Sequence, residues 1–204
     1  QLASDGQSIT LTAFVGTKEA TPAAVFTATG EASGTLSNLR TRMHYKIDNG
    51  TWMDIVLDDY YSLDGLSGSD LSTIIIDNDI SLTGLSACTL SVMRKGNGTT
   101  TTDSDIQTIT ITKANTPALT ATQPSIIGGS GSIPMTTAHE YSNNNGVSWI
   151  AATGSSTLAA GTYLVRVKAS GTQLASAGQS ITLNVFVGTK EAELTAVFTA
   201  TGED

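Results

Sequence analysis

The stretch QLASDGQSITLTAFVGTKEA at residues 1–20 returns at residues 173–192 as QLASAGQSITLNVFVGTKEA. Set side by side, residues 1–31 and 173–203 agree at 25 of 31 positions, at a constant offset of 172. Agreement that runs through apolar and polar positions alike marks a recent duplication. The chain therefore holds one full period and a 32-residue overlap. Whatever fold it adopts has to be one that repeats in series.

A fainter repeat lies inside the period. MHYKIDNGTWMDI at 43–55 matches HEYSNNNGVSWIA at 139–151 through Tyr45 and Tyr141, Asn49-Gly50 and Asn145-Gly146, and Trp52 and Trp149. Downstream, LSACTLSVMRKGNGT at 85–99 aligns with LAAGTYLVRVKASGT at 158–172, and DIQTITITK at 105–113 with GQSITLNVF at 178–186. This predicts module one over residues 17–113, with an insertion at 57–80 that module two lacks, and module two over residues 114–187. Residues 1–16 then correspond to the last strand of a preceding module and residues 188–204 to the first strand of a following one. Such end strands are expected to pair with neighbouring repeats, either along one continuous chain or between identical chains head to tail.

The apolar residues recur with period two. In GTYLVRVKAS, Tyr163, Val165, Val167 and Ala169 share one face while Leu164, Arg166 and Lys168 share the other. Met43, Tyr45 and Ile47 point inward in the same way, as do Ile181, Leu183, Val185 and Val187. Turn dipeptides at Asn49-Gly50, Gly128-Gly129 and Asn145-Gly146 separate these short runs. The expected fold is all-β, with two β-sandwich modules in tandem.

TLAAGTYLVRVKASGT resembles the late-strand signature of fibronectin type III and immunoglobulin-like domains, in which a Leu and a small loop precede a Tyr that opens an alternating strand. YSNNNGVSWI resembles a hairpin in the repeats of large clostridial and other Firmicute cell-surface proteins. The resemblance implies a sandwich in a modular bacterial surface chain, and it brings no catalytic residues with it. Module one departs from it: Leu90 stands where module two has Tyr163, removing a hydroxyl that could tie a corner to the backbone, and Cys88 stands for Gly161.

Charged residues are only 14% of the chain and the net charge is −8, with Ser, Thr, Ala and Gly supplying the polar surface. Nucleic-acid binding needs a basic stripe, and the ten Lys and Arg are scattered. No apolar run approaches the ~20 residues of a membrane-spanning helix. No basic-then-apolar leader opens the chain, so a signal and an anchor are expected outside these residues. With Cys88 alone, no intrachain disulfide forms, and its plain reading is a small buried hydrophobe.

No nucleophile, phosphate-loop or dinucleotide motif is present, so the chain reads as non-enzymatic, with no cofactor expected. His44 and His139 lie in different modules without ligand-spaced partners, and read as solvated strand residues. The insertion gathers half of the twelve aspartates. Among them Asp58, Asp59, Asp77 and Asp79 are the candidate ligands for calcium, which takes six to eight loop oxygens. Tyr60 and Tyr61 are the candidate binding residues for a glycan. Trp52 and Trp149, and Tyr45 and Tyr141, recur at matched positions, and with Tyr163 they read as structural. The expectation is a structural repeat forming an extracellular stalk, fibre or filament, joined through VGTKEA at 15–20 and TKANTP at 112–117. The alternatives are an adhesin using the 57–80 insertion to hold a glycan or host protein, and an accessory carbohydrate-binding module of a secreted enzyme.

Overall fold

A computed structural model describes residues 15–55 and 79–189. All of its regular structure is β. In chain order the strands are β1 Thr17–Lys18, β2 Val25–Ala28, β3 Ser33–Ser37, β4 Met43–Ile47, β5 Met53–Asp54, β6 Ile80–Thr83, β7 Cys88–Arg94 and β8 Thr101–Thr102. They continue with β9 Gln107–Lys113, β10 Gly131–Ile133, β11 His139–Ser142, β12 Ile150–Ala151, β13 Ser156–Leu158, β14 Gly161–Val167, β15 Gln173–Leu174 and β16 Gln179–Leu183.

The chain divides into two compact units. Among the described residues, the first holds everything up to Asn115 together with Ala169–Ser176, and the second holds Thr116–Lys168 and the residues from Ala177 on. In the first unit, β2, β3 and β6 form a three-stranded sheet and β15-β9-β7-β4-β5 a five-stranded one. Alternation decides which residues meet between them. Phe26, Leu36 and Leu82 from the smaller sheet pack with Met43, Leu90, Val92 and Ile111 from the larger, while Thr108, Thr110 and Thr112 of β9 face outward. Gly34 is required at its place, because a Cβ there would lie 2.1 Å from the Phe26 ring.

The second unit is a smaller sandwich, with β12-β11-β14-β16 facing the β10-β13 pair. Ile133, Tyr163, Val165, Ile181 and Leu183 fill it. The order β12-β11-β14-β16 repeats β5-β4-β7-β9, and the register repeats too: Tyr45 opposes Val92 as Tyr141 opposes Val165. The predicted all-β architecture of two tandem sandwiches is the one observed.

One alignment is corrected. Matched end to end, DIQTITITK and GQSITLNVF are one residue out of step, because Leu90 opposes Ile109 while Tyr163 opposes Ile181. The matched pair is Gln107 and Gln179. Gln107 accepts from the Ala24 N–H and donates to the Ala24 carbonyl, both at 2.8 Å. Gln179 does the same to Leu119, again at 2.8 Å each way. Each amide thus stands in for a sheet neighbour and holds the unit's first segment in place. Gln179→Ala should therefore cost the second unit about 1–2 kcal/mol, since it strands a partly buried donor and acceptor. Urea unfolding followed through Trp149 emission measures this, and an unchanged midpoint would contradict the assigned role.

Residues 169–176, placed by sequence within the second module, pack in the first unit. β15 adds a parallel edge to β9, pairing Gln173 with Thr112 and Leu174 with Lys113. The strap is tied at several points: Ala28 N–H to the Gly171 carbonyl at 2.8 Å, Ala114 N–H to Leu174 at 3.0 Å, and Ala175 N–H to Gly30 at 2.9 Å. Leu174, Ala175 and Ser176 are fully buried. The chain leaves the second unit after β14, closes the core of the first, and returns to supply β16.

Candidate functional site: a buried carboxylate under the VGTKEA segment

Thr17 and Lys18 pair in parallel with Thr101 and Thr102, so the Thr-rich stretch around β8 is a docking edge. Its shape comes from Asn97, whose side-chain oxygen accepts the N–H groups of Thr99, Thr100 and Thr101 at 2.8–3.0 Å. That turn presents the Thr101 hydroxyl to Glu19, which accepts from it at 2.8 Å. Arg42 Nη2 donates to the same carboxylate at 2.9 Å, and Arg94 Nη1 lies 3.2 Å from its other oxygen.

Glu19 and Arg94 are each only 9% exposed at the side chain. Two guanidinium groups therefore face one carboxylate in a nearly dry setting. Arg42 Nη1 and Arg94 Nε and Nη2 are buried without a hydrogen-bond partner. Burial pushes the Glu19 carboxyl up, but the Thr101 hydroxyl, Arg94 and Arg42 together outweigh it and hold the group below its ordinary value of 4.5. Lys18 pairs with Asp105 beside this cluster, but both are more than half exposed and the pair contributes little. The cluster locks the VGTKEA segment onto the first unit. It offers no nucleophile and no proton donor poised for transfer.

Sequence reasoning missed this cluster because Glu19, Arg42 and Arg94 are far apart in the chain and share no local motif. The signal was parity: Arg94 continues the inward series Cys88, Leu90 and Val92 along β7. His44 was likewise not a solvated residue. It opposes Asp54 across β4 and β5, with Nδ1 2.6 Å from the carboxylate and a side chain only 15% exposed. His139 caps a turn, its Nδ1 lying 3.0 Å from the Thr136 N–H.

Of the candidate metal ligands, Asp79 is exposed beside β6. Asp58, Asp59 and Asp77 lie outside the described residues, as do Tyr60 and Tyr61. Among the described residues no three His, Cys, Asp or Glu side chains come together as a metal site. Cys88 packs partly buried against the first core, and burial followed by the Asp48 carboxylate pushes its thiol up.

The aromatics divide into two sets. Tyr163 lies in the second core with its hydroxyl donating to the Ala159 carbonyl at 3.0 Å, and Tyr141 meets it edge-on at 6.2 Å. Tyr45 packs at the margin of the first core. The tryptophans sit outside both cores, each beneath a cation: Lys46 over Trp52 at 5.2 Å and Arg166 over Trp149 at 3.8 Å. Arg166 is fixed in turn by Glu140 at 2.7 Å. Both rings are thus already covered.

No family model matches the chain, and no curated protein does. Among solved structures it is similar to a segment of two fibronectin type III domains from chicken tenascin, at 14% identity and a TM-score of 0.30, over 80% of this chain and 98% of that one. It is also similar to the FN1–FN3 domains of chicken CNTN1, at 13% identity and a TM-score of 0.25, over 83% and 67%.

Proposed function

We propose that the chain is a structural repeat of a large bacterial extracellular protein that forms a stalk, fibre or filament. The observation that carries this reading is the locked VGTKEA segment, whose sequence recurs one period later at 187–192. A segment that merely tethers two modules would be solvated and free. Here it contributes a strand to β8 and buries a carboxylate between two arginines. Such an attachment passes load from one module into the next and limits bending where they join. The Thr-rich outer faces and the net charge of −8 suit a crowded, soluble surface polymer.

Electron microscopy of the purified protein tests the proposal. Regular filaments whose axial repeat equals one two-module period are the expected result. Dispersed particles with no axial order would remove the filament reading and leave the adhesin reading, centred on the 57–80 insertion with Tyr60 and Tyr61, in its place.

A further inference from the structure

The heptad FVGTKEA occurs at 14–20 and again at 186–192, and Gly16 and Gly188, equivalent residues of the two copies, have different surroundings. At the first, Gly16 lines a recess of about 610 Å³ together with Lys95, Gly96, Gly98, Thr99 and Thr101. Glycine and threonine backbone and γ-methyl groups make most of this wall, with Lys95 and Asp103 as its charged side chains and the Asp103 carboxylate accepting from the Gly96 N–H at 2.8 Å. Beside it Val15 is 89% exposed. At the second copy, Gly188 lies against Ile127: a Cβ added there would come within 3.2 Å of Ile127 Cδ1. Ile127 is 77% exposed, Ile126 67% and Val187 84%. Contiguous bare aliphatic residues of this kind mark a surface that is meant to be covered.

Gly188 of one period is Gly16 of the next. The recess and the isoleucine pair are therefore built around the same residue of the repeat, one on each side of it. Among the described residues neither half is covered, and each supplies what the other lacks. Building on the repeat reading above, we propose that the Ile126-Ile127 tip of one period seats in the Gly16–Thr101 recess of the next, and that this contact sets the angle between consecutive periods. The occupant is another copy of this sequence, presented by the chain through Val187 and Gly188. The Glu19 cluster fixes the segment on the recess side, and Ile127 packs on it from the other, so the joint is gripped at both ends.

The test uses a two-period chain, made by extending this one by a further 172 residues, with Cys88→Ser in both periods. Ile127→Cys in the first period is combined with Thr99→Cys in the second. Mild oxidation should join them about tenfold faster than a control pairing Ile127→Cys with Thr110→Cys on the outer face of β9, since a seated pair is held in reach while a tethered one only samples it. In the otherwise unmodified two-period chain, Ile127→Asp should widen the spread of inter-period angles seen by small-angle scattering and electron microscopy. Equal rates for the two cysteine pairs, or no change on Ile127→Asp, would overturn the joint. Should filaments form while the cysteine pairs react equally, the stalk reading stands and this contact falls. Selective cross-linking without filaments would uphold the contact and remove the stalk reading.

Discussion

Leu174→Ala should destabilise the first unit by about 3 kcal/mol, within the range for emptying a fully buried leucine site. The residue belongs by sequence to the stretch between β14 and β16, both strands of the second unit, yet its side chain is fully buried in the core of Phe26, Leu36, Leu90 and Ile111. The cost should therefore fall on a unit whose other residues end at Asn115. One tryptophan in each unit makes the two separable: Trp52 emission should shift to lower urea, carrying the larger part of the loss. Hydrogen exchange should quicken at the Ala28, Ala114 and Ala175 amides, which hold the strap. If Trp52 reports less than about 1 kcal/mol while Leu90→Ala shows a full core loss, the strap merely lies on the unit and does not close it.

This strap also marks where sequence ceased to be a guide. Period-two alternation exposed the strands that build the cores, because a half-buried strand has to alternate whatever it pairs with. The repeated tyrosines and tryptophans then identified β4 with β11, and the match of 85–99 to 158–172 identified β7 with β14. Alternation says nothing, however, about which edge a short segment joins. QLAS runs straight on into GQSITL, and only pairing with Thr112 and Lys113 separates the two. Register failed for a related reason: pairing the two segments end to end sets Thr108 on Ile181, and a one-residue slip exchanges the faces. Gln107 and Gln179 would have fixed it, as would TPA at 21–23 and 116–118, which precedes the Ala24 and Leu119 those amides hold. The site was least legible. Glu19 meets Arg42, Arg94 and Thr101 only once β1 has docked on β8, so no local pattern contains it. Asp58, Asp59, Tyr60, Tyr61 and Asp77, which local composition did single out, fall outside the described residues.

Glu19→Gln should cost the first unit about 3 kcal/mol near neutral pH, because it leaves two arginines, one of them buried, facing an amide that cannot balance either charge. The substitution is nearly isosteric, so packing changes little and the loss reports charge. Its pH dependence follows from the depressed carboxyl. The unfolded chain takes up this proton near the ordinary carboxylate value of 4.5, and the folded chain only at lower pH. Between those two points the unfolded state binds more protons, so stability rises with pH there and is fully present above. On acidification the contribution is lost as pH falls through the folded value, where wild-type Glu19 becomes neutral like the glutamine. The gap between the two proteins, read from Trp52, should therefore be widest at neutral pH, narrow as pH falls below 4.5, and close only below the folded value. A gap that stays constant over that range would mean the loss comes from replacing an acceptor oxygen by an amide NH2 and not from the charge. Glu19→Asp separates the remaining options: it keeps the charge but shortens the reach to Arg94, and should recover part of the stability at neutral pH. Were it no better than glutamine, the two-arginine geometry and not the charge would be what holds the VGTKEA segment down.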